Sequence, residues 1–334
     1  APLMFGSHID SVPQGGNYDG PLGSLGAVEV AQTLVEHDRV LRHPIEVVVF
    51  QNEEGGKTGS RALIGKITEK DLDRVTHSGK TIREGIRILG GNPTKLDEVK
   101  RQPGDIAAFL ELHVEQGAIL DTDGQDIGVV EGIVGIRRWT ATVRGAANHA
   151  GTTPMTMRRD AFQAVAELSG EIPRILEENG SIRSVATIGR VELSPGAANV
   201  VPGRADFSLE VRDTDPLVLD ELANAFRRAM SAIARRRDLM FEFEVLGELT
   251  PRKCDPGIVD TVASLCREMG VNSTHMHSGA AHDTQIMSTI TRAGMIFVPS
   301  KDGRSHSASE WTAWEDIEVG ANVLLNTLNR LAGA

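Results

Sequence analysis

The chain has 334 residues, of which 40% are hydrophobic and 24% are charged, so it has the composition of a globular protein long enough for two domains. Its formal net charge of −11, without a long basic run, argues against nucleic acid as a partner. No run of about 18 apolar residues predicts a membrane span. Two cysteines cannot form a disulfide framework and no export signal is visible, so we expect a cytoplasmic location.

Apolar strand-like runs alternate with helical patterns through residue 131. The predicted elements are a strand at residues 3–7, a helix at 22–41, a strand at 45–50 and a strand at 107–112. Residues 66–104 are more polar and predict small helices and loops. Strands that alternate with helices are typical of a mostly parallel sheet, so we expect the α/β class.

The pattern changes from about Ile133. Strands are predicted at residues 138–143, 185–193, 205–211 and 240–245, and helices at 158–176 and 217–236. This β-α-β-β-α-β order is the ferredoxin-like arrangement. After Pro251, helices at 258–268, 284–290 and 314–331 surround a strand at 295–298. We therefore predict a catalytic domain formed by residues 1–132 and 248–334, interrupted by an inserted domain at 133–247.

Residue types that bind metals follow four of the predicted strands, at their carboxyl ends. In an open α/β sheet these ends form the crevice where ligands bind. Imidazole and carboxylate groups without thiolates suit Zn²⁺, Mn²⁺, Co²⁺ or Ni²⁺. The sequence therefore predicts one metal site built by His8, Asp19, Glu53, Glu54, His113 and His306.

Each of these residues also has a simpler explanation. Asp19 could cap the helix that follows it, and Glu53 with Glu54 could be an acidic helix N-terminus. His113 could be a core histidine and His306 an ordinary loop residue. Against this, adjacent carboxylates repel each other unless a cation lies between them. One of them can then bind metal while the other accepts a proton from water.

Asp10 follows His8 by two residues, so alternation along the strand points both side chains the same way. A histidine that binds metal usually donates its other ring N–H to a carboxylate. We therefore expect the Asp10 carboxylate to orient the His8 ring.

Several motifs together resemble one family, the amidases of the hydantoinase/carbamoylase type, within the co-catalytic metallopeptidase and aminoacylase superfamily. The matching segments are residues 6–13 (GSHIDSVP), 15–20 (GGNYDG), 52–55 (NEEG), 111–117 (ELHVEQG), 148–155 (NHAGTTPM), 196–203 (GAANVVPG), 282–283 (HD), 297–300 (FVPS) and 305–307 (SHS). Superfamily peptidases usually have a carboxylate where this chain has His113. The carbamoylase and allantoate amidohydrolase branch has His-x-Glu-Gln-Gly.

The resemblance implies two divalent metal ions per subunit. Asp19 would bridge them, His8 and His113 would complete one ion, and Glu54 and His306 the other. Family members carry a further segment before the strand that holds His8, which this sequence does not include.

The resemblance also implies that Glu53 is the general base and that His149 stabilises the oxyanion or a substrate carboxylate. The implied substrate-binding residues are Gln116, Asn199, Arg212 and His282. The inserted domain would be a lid and the interface of a homodimer. The substrate would be a small molecule with a free carboxylate.

The sequence thus predicts metal-dependent hydrolysis of a linear carbamoyl or ureido C–N bond. N-carbamoyl-L-amino acids, ureidopropionate and allantoate are the expected substrate types. Two alternatives stay open: an aminoacylase or dipeptidase with the same metals, and a catalytically silent dimeric homologue. No Gly-x-Gly-x-x-Gly loop or Gly-x-Ser-x-Gly elbow supports a nucleotide-binding enzyme or a serine hydrolase.

Overall fold

The structure is a computed structural model that describes residues 1–76 and 78–333. The chain forms two compact units. The first unit comprises Ala1–Ile133 together with the residues from Lys253 onward, and the second unit comprises Val134–Arg252. The second unit is thus an insertion between two parts of the first.

The elements follow one another in chain order. Up to Ile133 they are β1 Leu3–His8, α1 Pro21–Glu36, β2 Ile45–Phe50, α2 Thr58–Leu63, α3 Glu69–Leu72, α4 Ile82–Ile88, β3 Ala108–Val114, α5 Ile119–Asp123 and β4 Ile127–Ile133. Next come β5 Gly135–Arg144, β6 Asn148–His149, α6 Ala161–Asn179, β7 Val185–Thr187, β8 Val191–Ser194, β9 Val200–Val201, β10 Arg204–Asp213, α7 Pro216–Arg237 and β11 Met240–Leu249. The last are β12 Arg252–Lys253, α8 Pro256–Met269, β13 Ser273–Ser278, α9 Asp283–Met287, β14 Ala293–Val298 and α10 Trp314–Leu331.

The first unit is built on a seven-stranded sheet with the order β12-β4-β14-β3-β1-β2, in which β13 also pairs with β4. The pairs β1–β2, β1–β3, β14–β3 and β13–β4 are parallel, and β14–β4 is antiparallel. The predicted mixed α/β fold with a mostly parallel sheet is therefore confirmed. Because β1 and β3 are parallel neighbours, their carboxyl ends, with His8 and His113, reach the same edge of the sheet.

The central strands of this sheet are buried on both faces. Phe5, Leu110 and Leu112 are at most 1% exposed and belong to a core that includes apolar residues of α1, α8 and α10. Met4 and Phe109 belong to a second cluster with Met287 of α9. This explains why β1 and β3 read as continuous apolar runs rather than alternating ones. Each such side chain contributes roughly 1.5–3 kcal/mol by its burial, which fixes the strands that carry the site.

The second unit contains a five-stranded antiparallel sheet with the order β11-β5-β10-β7, and β8 also pairs with β10. Burial alternates along β10, and its inward residues join a core with α6 and α7 that includes Trp139, Phe207 and Phe226. The alternate residues of β10 face away from that core.

The prediction of a single strand at residues 185–193 is wrong, because this segment forms β7 and β8 with a break between them. β7 pairs with Glu210 to Arg212, and β8 pairs with Arg204 to Phe207. Between these two pairings the Ser208 N–H donates to the Arg190 carbonyl oxygen at 3.1 Å. The segment contains Gly189, and glycine in a strand favours such irregularities.

The first helix is shorter than predicted, because it ends at Glu36 rather than at residue 41. Asp38 has a φ of 51°, and the Arg39 N–H donates to the Leu34 carbonyl oxygen at 2.9 Å, which closes the helix end. The edge strand β13 was not predicted, because its sequence STHMHS is too polar for a buried strand. Within the described residues, no helix is long and apolar enough to cross a membrane.

Candidate metal centre

The predicted metal ligands are delivered by two neighbouring strands and three loops. His8 ends β1 and His113 lies on β3, while Asp19 precedes α1, Glu54 follows β2 and His306 follows β14. His8, Asp19 and His113 are at most 3% exposed, whereas the His306 side chain is 48% exposed. The centre therefore has a buried side and an open side.

The Asp19 carboxylate lies between two groups of ligands. Its Oδ1 is 3.5 Å from His8 Nε2 and 3.2 Å from His113 Nε2. Its Oδ2 is 2.9 Å from His306 Nε2, which in turn is 3.3 Å from Glu54 Oε1. His8, Asp19 and His113 form one group able to hold a metal ion, and Asp19, Glu54 and His306 form another. The five residues thus lie together, with Asp19 common to both groups.

The orientation of the buried histidines suits metal binding. His8 Nδ1 lies 2.9 Å from the carbonyl oxygen of Asp10, and His113 Nδ1 lies 2.8 Å from the carbonyl oxygen of Val114. A carbonyl oxygen only accepts, so each Nδ1 carries a proton, and the nitrogen of each ring that faces Asp19 and is left for a metal ion is Nε2. This donor set fits divalent ions that prefer nitrogen and oxygen ligands.

The expected role of the Asp10 carboxylate needs correction. It lies 3.9 Å from His8 Nδ1, and the main-chain carbonyl of Asp10 takes the hydrogen bond instead. The carboxylate accepts the main-chain N–H groups of Glu53 at 3.0 Å and Glu54 at 3.2 Å. Asp10 therefore joins the end of β1 to the loop after β2, because its two oxygens fix the turn that carries the acidic pair.

The loop of Asp19 is held by Glu310 rather than by a helix cap. The N–H groups of Tyr18 and Asp19 both donate to Glu310 Oε1, at 2.7 and 2.9 Å. The N-cap of α1 is Gly20, so the interpretation of Asp19 as the cap is wrong. Gly20 has a φ of 84°, and a side chain there would lie 2.3 Å from the His8 ring. Only glycine lets this loop approach His8 so closely.

Glu53 is buried beside a lysine. It is 5% exposed, and Lys57 Nζ lies 2.8 Å from its Oε1. Burial raises the pKa of Glu53, even though the Lys57 charge acts in the opposite direction. Helix α2 begins only at Thr58, with no acidic residue in its first turn, so Glu53 and Glu54 are not an acidic helix N-terminus. A buried carboxylate with a raised pKa is suited to accept a proton near neutral pH.

The charges in the centre are strongly coupled. Burial alone would raise the pKa of Asp19, but hydrogen bonds from His113, His306 and His8 hold it well below its usual range. The hydrogen bond with Asp19, followed by that with Glu54, raises the pKa of His306 to about 10. Burial opposes the charged form of His8, yet Asp19 raises the pKa of His8 to about 10. Without metal, protons thus occupy the place that divalent ions would take.

Gln116, which was predicted to bind substrate, contacts the open side of the centre. Its Nε2 donates to Asp19 Oδ2 at 2.7 Å and lies 3.3 Å from His306 Nε2. Gln116 and His306 have φ angles of 61° and 53°, a conformation that residues with side chains rarely adopt. Backbone strain of this kind is often found where function fixes a side chain.

His282 is not placed as expected for a residue that touches substrate. It is 2% exposed, its Nε2 lies 2.7 Å from Ser278 Oγ, and its ring packs edge-on against His113 at 4.6 Å between centroids. Burial, followed by the charge of His113, lowers the pKa of His282 well below its usual value. The structure therefore gives His282 a packing contact with His113, a predicted metal ligand.

His149 and Asn199 lie in the second unit, on and beside the short pair of strands β6 and β9. The N–H groups of Gly151 and Thr152 donate to His149 Nδ1 at 3.0 and 3.1 Å. Because Nδ1 accepts, the neutral ring carries its proton on Nε2, where it can donate to an oxyanion. Asn199 is exposed, and its carbonyl oxygen accepts the Ala150 N–H at 2.9 Å.

Arg212 also lies in the second unit, on the face of β10 away from the helices. Its guanidinium pairs with Glu210, with Nε 2.7 Å from Oε1, and Glu210 also pairs with Arg138. A substrate carboxylate at Arg212 would therefore compete with an internal carboxylate.

Sequence reasoning missed two residues that support the centre, Glu310 and Lys57. Glu310 is 5% exposed and joins the Asp19 loop to Ser305, whose Oγ donates to Glu310 Oε2 at 2.9 Å. Lys57 contacts Glu53, as described above. The only signal for Glu310 was its position four residues after His306. The sequence gave no indication that Lys57 pairs with Glu53, apart from their spacing of four residues.

The geometry can be compared with known proteins. The model of peptidase family M20/M25/M40 matches residues 4–330. The chain belongs to this family. It is 40% identical to an N-carbamoyl-L-amino acid amidohydrolase of Geobacillus stearothermophilus, over 99% of this chain and 81% of that protein. It is 35% identical to the allantoate amidohydrolase of Escherichia coli, with the same coverage.

A solved structure with the same fold is that of a hydantoinase/carbamoylase family amidase from Burkholderia multivorans. It superposes with a TM-score of 0.90 at 36% identity, covering all of this chain and 82% of the other. The predicted family and the prediction of a hydrolase are thereby confirmed. Members of the M20 family use divalent metal ions, and the two groups around Asp19 are candidate positions for them.

Proposed function

We propose that this protein hydrolyses a linear carbamoyl or ureido C–N bond in a small substrate that carries a free carboxylate. The observation that carries the proposal is the pair of ligand groups sharing Asp19, with the buried carboxylate of Glu53 beside Glu54. The similarity to an N-carbamoyl-L-amino acid amidohydrolase and an allantoate amidohydrolase supports this substrate class.

His8, Asp19 and His113 would hold one divalent ion, and Asp19, Glu54 and His306 a second. Zn²⁺, Mn²⁺, Co²⁺ and Ni²⁺ all suit these ligands. When bound, such ions polarise a carbonyl and lower the pKa of a water molecule to about 7. The main-chain carbonyls behind His8 and His113 keep both rings oriented toward Asp19.

Glu53 would act as the general base. It would take a proton from the attacking water, whose oxygen bonds to the carbonyl carbon, and give a proton to the nitrogen whose bond to that carbon breaks and which becomes the product amine. The carbamic acid that forms then decomposes to ammonia and carbon dioxide. Its burial supports this role, because a raised pKa makes the protonated intermediate accessible near neutral pH.

Four residues are proposed to bind the substrate. Gln116 would line the pocket beside Asp19, and His149 would donate its Nε2 proton to the oxyanion. Asn199 and Arg212 would bind the free carboxylate, since a guanidinium matches a carboxylate with two parallel hydrogen bonds. We also propose that the second unit is a ferredoxin-like lid and the interface of a homodimer.

The proposal is tested by a substrate panel assayed with each of the four metals. N-carbamoyl-L-amino acids, ureidopropionate and allantoate should release ammonia, whereas N-acyl amino acids and dipeptides should be poor substrates. Faster release of amino acids from acylated or peptide substrates would favour the aminoacylase or dipeptidase alternative. Fewer than one bound metal per chain together with no turnover would favour a silent homologue.

A further inference from the structure

The ion pair between Lys57 and Glu53 has no part in the ligand set described above. The two side chains are only 14% and 6% exposed, and Lys57 Nζ lies 2.8 Å from Glu53 Oε1. A lysine is seldom so far removed from water unless an opposite charge compensates it. The position of this ammonium group is therefore set by Glu53.

The backbone brings the two residues together. Lys57 has φ 57° and ψ 44°, the left-handed conformation that residues with side chains seldom adopt. The N–H groups of Gly56 and Lys57 both donate to the Glu53 carbonyl oxygen, at 2.9 and 2.8 Å. This tight turn places the lysine directly after the acidic pair and immediately before α2.

The surroundings of the pair are rich in carboxylates. Asp283 is fully buried, and burial followed by the charges of Glu53 and Glu111 raises its pKa well above the usual value. The Lys57 charge also contributes, after burial and His113, to the lowered pKa of His282. Lys57 therefore offsets the negative charge of Glu53, the carboxylate that it contacts.

We propose that Lys57 is a positioning residue for hydrolysis, which holds one oxygen of Glu53 so that the carboxylate meets the attacking water in a single orientation. The inference rests on the proposed function, because it takes Glu53 to be the base. The last torsion angle of a glutamate is broad and poorly restrained by itself. An ammonium 2.8 Å from Oε1 restrains this torsion angle, and a base held in place transfers protons faster.

The test compares Lys57→Met, Lys57→Arg and a control, Lys70→Met, whose lysine is exposed on α3. Lys57→Met should lower kcat on the order of 10- to 100-fold, because the base is no longer oriented. KM should change by less than about threefold, and metal content should stay as in the wild type. Lys57→Arg keeps the cation and should restore most of kcat, while Lys70→Met should behave like the wild type.

A double-mutant cycle shows whether Lys57 acts through Glu53. On a Glu53→Gln background, Lys57→Met should cause little further loss, because the residue it positions is already neutral. An equal loss on both backgrounds would overturn the inference. So would an unchanged kcat, or a fall of metal content in step with kcat.

These outcomes are separate from failure of the proposed function. A metal-loaded wild-type protein that leaves every carbamoyl and ureido substrate intact contradicts the function itself. An active wild type that is unaffected by Lys57→Met contradicts only the role of Lys57.

Discussion

The Asp10 carboxylate accepts the main-chain N–H of Glu53 at 3.0 Å, across 43 residues of sequence. Its other oxygen accepts the N–H of Glu54. Replacing Asp10 with alanine leaves both N–H groups without this acceptor, which should lower the free energy of unfolding by about 1–3 kcal/mol. Metal affinity should fall by roughly 10- to 100-fold, as is typical when a residue that orients the metal ligands is removed. Denaturant unfolding and metal titration measure the two effects.

The matched variant is Asp10→Asn, which keeps one acceptor oxygen and should be affected less. If Asp10→Ala bound both metals as tightly as the wild type, the acidic pair would not depend on this support.

Glu53 and Glu54 are adjacent, but their substitution should have different results. Glu53→Gln should retain both metals and lose turnover by roughly 10²- to 10⁴-fold, the usual contribution of a general base. Glu54→Gln should lose metal, because Glu54 belongs to the group with Asp19 and His306. Elemental analysis of each purified variant beside its kcat separates the two roles. Substantial turnover in Glu53→Gln would refute the assignment of the base.

Asp19 belongs to both ligand groups, whereas His306 belongs to one. Asp19→Ala should therefore abolish high-affinity binding of both ions, and His306→Ala should remove only one. Counting ions per chain after dialysis against a fixed free-metal concentration provides the measurement. Equal metal content in the two variants would argue against a shared carboxylate.

Removal of the metal ions should make the stability of the folded protein depend on pH above about pH 7. In the metal-free protein, the Asp19 and Glu54 contacts raise the pKa of His306 to about 10, and Asp19 outweighs burial to raise that of His8 to about 10. A group whose pKa is raised on folding stabilises the fold fully below its unfolded pKa of about 6.5, and this contribution disappears as the pH rises through the folded value.

The Tm of chelator-treated protein should therefore fall as the pH rises from about 7 to 10, while metal-loaded protein should not show this component. The measurement is a set of thermal melts across this range with and without metal. A pH-independent difference between the two forms would contradict the coupling.

Arg212→Ala should raise KM for substrates with a free carboxylate, by about 10- to 100-fold if two charge-assisted hydrogen bonds are lost. Substrates with an amidated carboxylate should change little. Arg144→Ala is the matched control, because Arg144 also carries an ion pair on this sheet, with Glu242. Glu210→Gln should lower KM, since it removes the competing carboxylate. An unchanged substrate profile in Arg212→Ala would refute the assignment.

The strands and their ligands could be predicted because each is encoded locally. An apolar run followed by histidine or carboxylate indicates both the strand and its carboxyl end, which is how His8 and His113 were found. The loop residues Asp19, Glu54 and His306 were predicted from their positions after these strands, and the motif resemblance then assigned them to two ions.

What could not be predicted depends on contacts between distant segments. His8 Nδ1 contacts the main-chain carbonyl of Asp10 rather than its carboxylate. The local backbone conformation decides this, and the alternation of side chains along a strand does not predict it. Burial of His282 behind His113 depends on how α9 packs against the sheet. Glu310 reaches the Asp19 N–H across 291 residues, and no local pattern encodes such a contact.

The ligand groups join residue 8 to residue 306, and the entire second unit lies between these positions. During biosynthesis, the Asp19, Glu54 and His306 group cannot form until the segment that carries His306 has left the ribosome. Cation uptake by this group is consequently a late step, and it can serve as a direct reporter that the two halves of the interrupted unit have found each other.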